Sequence, residues 1–118
     1  MAVYKRKLSG STDGKAIKVV QTATAGDTIH TAVAGTTAGT FDEIWLWAYN
    51  GHTSTVTLTI EFGGASVPDQ NIVVTLASKS GLIPIVPGLI LHNGMVVKAF
   101  ASSANVVTII GFVNTMTD

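Results

Sequence analysis

Thr55-Val56-Thr57-Leu58-Thr59-Ile60-Glu61-Phe62 alternates residue by residue between hydroxylic or charged side chains and large apolar ones. A strand sends successive side chains to opposite faces. Val56, Leu58, Ile60 and Phe62 therefore share one face, and Thr55, Thr57, Thr59 and Glu61 share the other. β-Branched threonine suits the open side of a pleated surface. A helix would throw the same four apolar residues to opposite sides of its axis. The stretch reads as a half-buried strand, and its parent as a sheet with one face against a core.

The same period recurs on both sides of it. Upstream, Ala16 to Thr22 and Thr28 to Val33 are short candidates, and Phe41 to Tyr49 sets Ile44, Leu46 and Ala48 against Glu43, Trp45, Trp47 and Tyr49. Downstream come Asn71 to Leu76, then Leu82 to Val86, where Pro84 predicts an edge position because it cannot donate to a ladder. Leu89 to His92 and Met95 to Ala101 flank Asn93-Gly94, a dipeptide suited to the left-handed positions of a type I′ turn, so a tight hairpin is expected there. Val106 to Val113 is a long apolar run and reads as a strand buried on both faces. No window carries helical spacing with capping signals. Eight to ten short strands without a substantial helix predict an all-β domain, an antiparallel β-sandwich or jelly roll.

The chain has 118 residues, the size of one domain, and no internal repeat. Ser9-Gly10-Ser11-Thr12-Asp13-Gly14 reads as a flexible polar stretch. It divides residues 1–14, a basic N-terminal arm or first strand, from a sandwich domain over residues 15–118. Apolar residues make up 47% of the sequence and charged ones 12%, about half the usual quarter. So little charge suits a subunit that rests against neighbours. The net charge is zero, which gives nucleic-acid binding no support, yet Lys5, Arg6, Lys7, Lys15 and Lys18 place five of the seven cations at the beginning. The Met1–Leu8 charges are not followed by the apolar run of a signal peptide. Leu82 to Val97 is interrupted by Pro84, Pro87, Gly88, His92, Asn93 and Gly94, so no membrane partner is expected.

Catalytic chemistry finds few candidates. With no cysteine, thiolate metal sites and disulfides are excluded. His30, His52 and His92 lack metal-ligand spacing. Asp42 and Glu43 fall on opposite faces of one strand and cannot share a proton. Glu61 could face Asp69 or Asp27 as a glycosidase pair, although no pattern recommends it. No nucleophile elbow or phosphate loop is present, and Gly63-Gly64 is explained by a turn. The expectation is a non-enzymatic protein with no catalytic residues, cofactor or metal.

Two features could carry binding. Trp45, Trp47 and Tyr49 form an aromatic row on one face of one strand. Large rings dominate interface energetics, so the row predicts an oligomer or partner interface, or a platform for a sugar ring. The alternation defines two faces without saying which is buried, and the row could equally be core. Tyr4, Lys5, Arg6 and Lys7 are the second feature. On a tether they would contact an acidic partner; as an edge strand they would be lysine-guarded and solvated.

Three stretches carry a resemblance. They are Thr55-Val56-Thr57-Leu58-Thr59-Ile60 after a strand ending at Asn50, Leu89-Ile90-Leu91-His92-Asn93-Gly94-Met95-Val96-Val97-Lys98-Ala99, and Asn105-Val106-Val107-Thr108-Ile109-Ile110-Gly111-Phe112-Val113-Asn114. Together they resemble small β-sandwich structural proteins of tailed bacteriophage virions in strand rhythm, with Met95 departing from the Asp common at that place. The resemblance implies a virion component, assembled in the host cytoplasm and working as a homo-oligomer. A capsid decoration (cement) subunit, often a trimer, is the leading form, with the major capsid protein or another virion protein as partner. Neck, tail and fibre-attachment proteins are similar enough to stay open beside it, as does a carbohydrate- or receptor-binding module.

Overall fold

The computed structural model describes residues 1–118 as nine strands and no helix. They are β1 (Ala2–Lys7), β2 (Ile17–Val19), β3 (Asp27–Thr31), β4 (Phe41–Asn50), β5 (Val56–Phe62), β6 (Asn71–Leu76), β7 (Ile83–Leu91), β8 (Val96–Ala101) and β9 (Val107–Thr117). One sheet has the order β1-β9-β4-β7, with β2 also on β9, and the other has the order β3-β8-β5-β6. Every pairing is antiparallel. Apart from β1 to β2 and the β5–β6 hairpin, each connection crosses between the sheets. That alternation is the jelly-roll form of the sandwich.

The alternation in β5 has the expected consequence. Val56, Leu58 and Ile60 are fully buried and meet Ile44, Leu46 and Ala48 of the facing sheet in an 18-residue cluster. A core of that size explains how the chain dispenses with disulfides. The other side of β5 is less open than the pattern predicts. Thr59 is buried, and Glu61 lies beneath the Thr24–Gly26 segment, taking hydrogen bonds from the Thr24 hydroxyl and from Gly26 N (2.7 Å).

Three expectations need correcting. Asn93 and Gly94 do adopt positive φ (60° and 66°), and Met95 N closes the turn on His92 O at 3.2 Å. The flanking strands nevertheless do not form a hairpin: β7 joins β4 in one sheet and β8 joins β3 and β5 in the other. The run Val106 to Val113 is not buried on both faces, since Val107, Ile109 and Val113 point inward while Ile110 and Phe112 stay half-exposed outside. Ser9–Gly14 is no free tether at its start: Gly10 N bonds Ile29 O (2.9 Å), Ser11 N bonds Leu8 O (2.9 Å), and Leu8 enters the core. Of the two forms expected for the N-terminus, the strand is the one seen, because β1 pairs with Phe112–Thr117 along its whole length. Pro84 sits on the edge strand β7, where its missing N–H breaks no inner ladder.

Candidate functional site

Parity on β4 assigns its two faces. Asp42, Ile44, Leu46, Ala48 and Asn50 are buried, and Glu43, Trp45, Trp47 and Tyr49 stand half-buried on the outer side. The aliphatic side is the core side, so the aromatic row faces out. β9 widens it, because the register sets Phe112 opposite Trp45 and Ile110 opposite Trp47. Trp45, Trp47 and Phe112 pack as three near-parallel rings, with centroids 6.0–6.4 Å apart and planes within 15–26°. On the other flank Pro87 lies opposite Trp45 and Pro84 opposite Trp47. Gly88 (φ 79°) leaves room for the indole, since a Cβ there would lie 2.7 Å from Trp45 Cζ2. Val3 (57% exposed) and Ile90 (54% exposed) extend the apolar face to both sheet edges.

Glu43 fixes the orientation of this cluster. Its Oε1 accepts from Trp45 Nε1 (2.8 Å) and from Asn114 Nδ2 (3.0 Å). The Asn114 bond first and the Trp45 bond second hold its pKa below the ordinary 4.5, against a small opposing effect of burial. A carboxyl whose folded pKa is depressed contributes stability above its unfolded value, and that contribution disappears as pH falls through the lower, folded value. Tryptophan emission of the native protein is therefore expected to shift on acidification below 4.5. Glu43→Gln should abolish that step. A shift of equal size in the variant would assign it to another group.

The basic residues lie exposed along β1. The Lys5 ammonium lies 4.4 Å from the Phe112 ring centroid, on the aromatic face itself. Arg6 stacks over Tyr4 (5.3 Å), and Lys7 Nζ donates to Ser11 O (2.9 Å). Lys5 thus joins the row, while Tyr4 and Arg6 have the opposite parity on β1.

Behind this face the two sheets are clasped by polar side chains. His30 of β3 and Asp42 of β4 are both buried, with His30 Nε2 2.6 Å from Asp42 Oδ2. Ser9 N donates to His30 Nδ1 (3.0 Å), so the ring proton sits on Nε2 and is given to Asp42. Thr115 Oγ1 (2.7 Å) and Val33 N (3.2 Å) donate to the same carboxylate. A cavity of about 340 Å³ beside the clasp is lined by Arg6, Lys7, Ser9 and Thr31 as well. No family model, curated protein or solved structure matches this chain.

Ser9, His30 and Asp42 are the residue types of a nucleophilic triad, but their geometry differs. The backbone N–H of Ser9 meets the imidazole, whereas its hydroxyl accepts from Thr31 N (2.7 Å). The ring has no free nitrogen with which to take a proton from Ser9 Oγ, so the trio acts as a fastening between sheets. His52 and His92 are not part of it, and no group of three His, Asp or Glu side chains is arranged to hold a metal ion. Sequence reasoning missed Phe112, Glu43 as a ring anchor, and the His30–Asp42 pair. Asp42 could have been found, since an acid on the parity of Ile44, Leu46 and Ala48 must be buried and needs donors.

Proposed function

We propose that the chain is a non-enzymatic structural subunit whose outer aromatic face packs on the protein lattice of a virion shell, as a capsid decoration (cement) protein does. The observation that carries this reading is the contrast between the two outer faces. One sheet turns Thr57, Thr75, Lys98 and Val73 outward with a single ring, Phe100, and the other turns the ring cluster Trp45, Trp47 and Phe112 outward with Ile110, between exposed Val3 and Ile90. Large rings left at a surface cost free energy until something covers them. Their stacking on one another and beneath Lys5 uses up ring faces that a sugar would need, which favours a protein partner over a glycan. The virion setting, its localisation and the shell protein as partner rest on the resemblance in strand rhythm. A neck or tail subunit would use the same face.

The test uses empty heads built from the major capsid protein of the same genome. Wild-type chain should co-sediment with them, and Trp47→Lys should bind about 30-fold more weakly, as loss of a central aromatic anchor does. The variant's melting temperature should stay near that of the wild type, since Trp47 is outside the core. Equal retention of both proteins would end the assignment. Selective glycan binding lost in Trp47→Lys would replace it with the sugar-binding reading.

A further inference from the structure

Two sheets expose four edges, one of them shared by β1 and the three-residue β2, and natural proteins guard such edges because their unpaired backbone groups recruit other chains. Three are guarded here. β7 carries Pro84 and Pro87 and two register shifts against β4. β3 is bulged against β8 and overlaid by Ser9 and Gly10, whose Oγ and N bond Thr31 N (2.7 Å) and Ile29 O (2.9 Å). β1 carries Lys5, Arg6 and Lys7 in succession. β6 has none of these devices. Asn71-Ile72-Val73-Val74-Thr75-Leu76 contains no proline and no charge, keeps an unbroken register with β5, and leaves Val73 62% exposed.

We infer that β6 is the contact between two copies of this chain, paired edge to edge and antiparallel across a two-fold axis. Phe62 N donates to Gln70 O (2.8 Å), which sets the phase of the β5–β6 ladder. Backbone groups of Ile72, Val74 and Leu76 turn toward β5, and those of Asn71, Val73 and Thr75 turn to the open edge. No loop of the chain bonds these outward groups. A symmetric antiparallel pair must face outward groups with outward groups. The register centred on Val73 alone uses all three residues, setting Val73 on Val73 of the second copy and Asn71 on Thr75.

The occupant follows from the same residues. A neutral strand offers nothing to select a charged partner, and its apolar centre with polar ends is complementary to itself under a two-fold rotation. Asn71 Oδ1 is the buried side-chain atom without a hydrogen-bond partner, and this register brings the Thr75 hydroxyl of the second copy to the face that Asn71 occupies. β6 lies in the sheet opposite the aromatic face, so both contacts can form at once. The pairing stands whatever protein covers the tryptophans. It also replaces the three-fold symmetry implied by the resemblance with a two-fold.

The chain's lack of cysteine makes the test direct. Val73→Cys should form a covalent dimer on mild oxidation, since directly opposed, hydrogen-bonded residues have Cα atoms about 5.5 Å apart, within disulfide reach. Val3→Cys, comparably exposed on β1 at 57% but away from the two-fold axis, should form no covalent dimer under the same oxidation. By native mass the wild type should contain two copies. Val73→Lys, which stacks like charges on the axis, should dissociate at a concentration at least about tenfold higher. Thr75→Lys serves as a second variant should the first fold poorly. A wild-type mass of one or three copies, equal cross-linking of Val3→Cys, or an undisturbed dimer in both lysine variants would each overturn the pairing. Head binding, measured separately, tests the aromatic face and can fail or succeed independently.

Discussion

Asp42→Ala should destabilise the fold by about 3 kcal/mol, because it strands several buried donors at once. In the wild type, Asp42 Oδ2 takes the His30 ring proton (2.6 Å) and Val33 N (3.2 Å), and Oδ1 takes the Thr115 hydroxyl (2.7 Å). His30, Asp42 and Thr115 are each at least 96% shielded from solvent in place, at 4%, 3% and 3% exposure. Alanine leaves those donors facing a void, and each unmet buried donor costs about 1–3 kcal/mol. Water entering from the neighbouring cavity recovers part of this, which keeps the total below the simple sum. For a domain of this length the loss corresponds to a melting temperature roughly 10 °C lower. His30→Ala should cost less, since Asp42 keeps Val33 N and Thr115. The double variant should cost clearly less than the two single losses added, as expected for directly bonded partners. Additive losses, or an Asp42→Ala melting point unchanged, would mean that the clasp does not hold the sheets.

The parts of the fold legible in the sequence were those that local physics decides. The period of two in β5 and β4 names strands and their opposed faces whatever they pair with. Pro84 marks an edge because its backbone lacks a donor wherever it stands. Asn93-Gly94 is a turn for the same kind of reason, and both residues take positive φ. Partner choice is another matter. β7 and β8 leave that turn for different sheets, since pairing is settled by packing against β4 and β5, far away in sequence. Val106 to Val113 misleads in a related way. An apolar run looks the same whether its second face meets the core or a docking partner, and here Ile110 and Phe112 belong to the outer face. The aromatic row was visible as three residues of β4, while its completion by Phe112 and Lys5 required the registers of β9 and β1. The His30–Asp42 fastening joins residues whose pairing no local spacing encodes.

Gly111→Ala should be the most damaging single methyl that can be added to this chain's central strands. Gly111 lies opposite Leu46 in the β4–β9 ladder, on the core side by the parity of Ile109 and Val113. An added Cβ would overlap the Trp45 carbonyl oxygen and sit 3.0 Å from the Trp45 carbonyl carbon and 3.1 Å from Leu46 Cα. All three atoms are backbone, so no side-chain rotation relieves the overlap, and β9 must back away from β4. Overpacking typically costs about 1–3 kcal/mol, and the fixed neighbours put this case at or above the top of that range. Since such domains are stable by only about 5–15 kcal/mol, a large share of the native state's margin is at stake. The same shift parts Phe112 from Trp45 and Trp47, so native tryptophan emission should change in step with the melting curve, which it should not do in Asp42→Ala. Gly14→Ala meets nothing within 4 Å and carries only the cost of its left-handed backbone, which makes it the comparison. If Gly111→Ala melts no lower than Gly14→Ala, then β4 and β9 are not packed this closely, and the ring cluster whose geometry depends on that spacing loses its basis as a docking face.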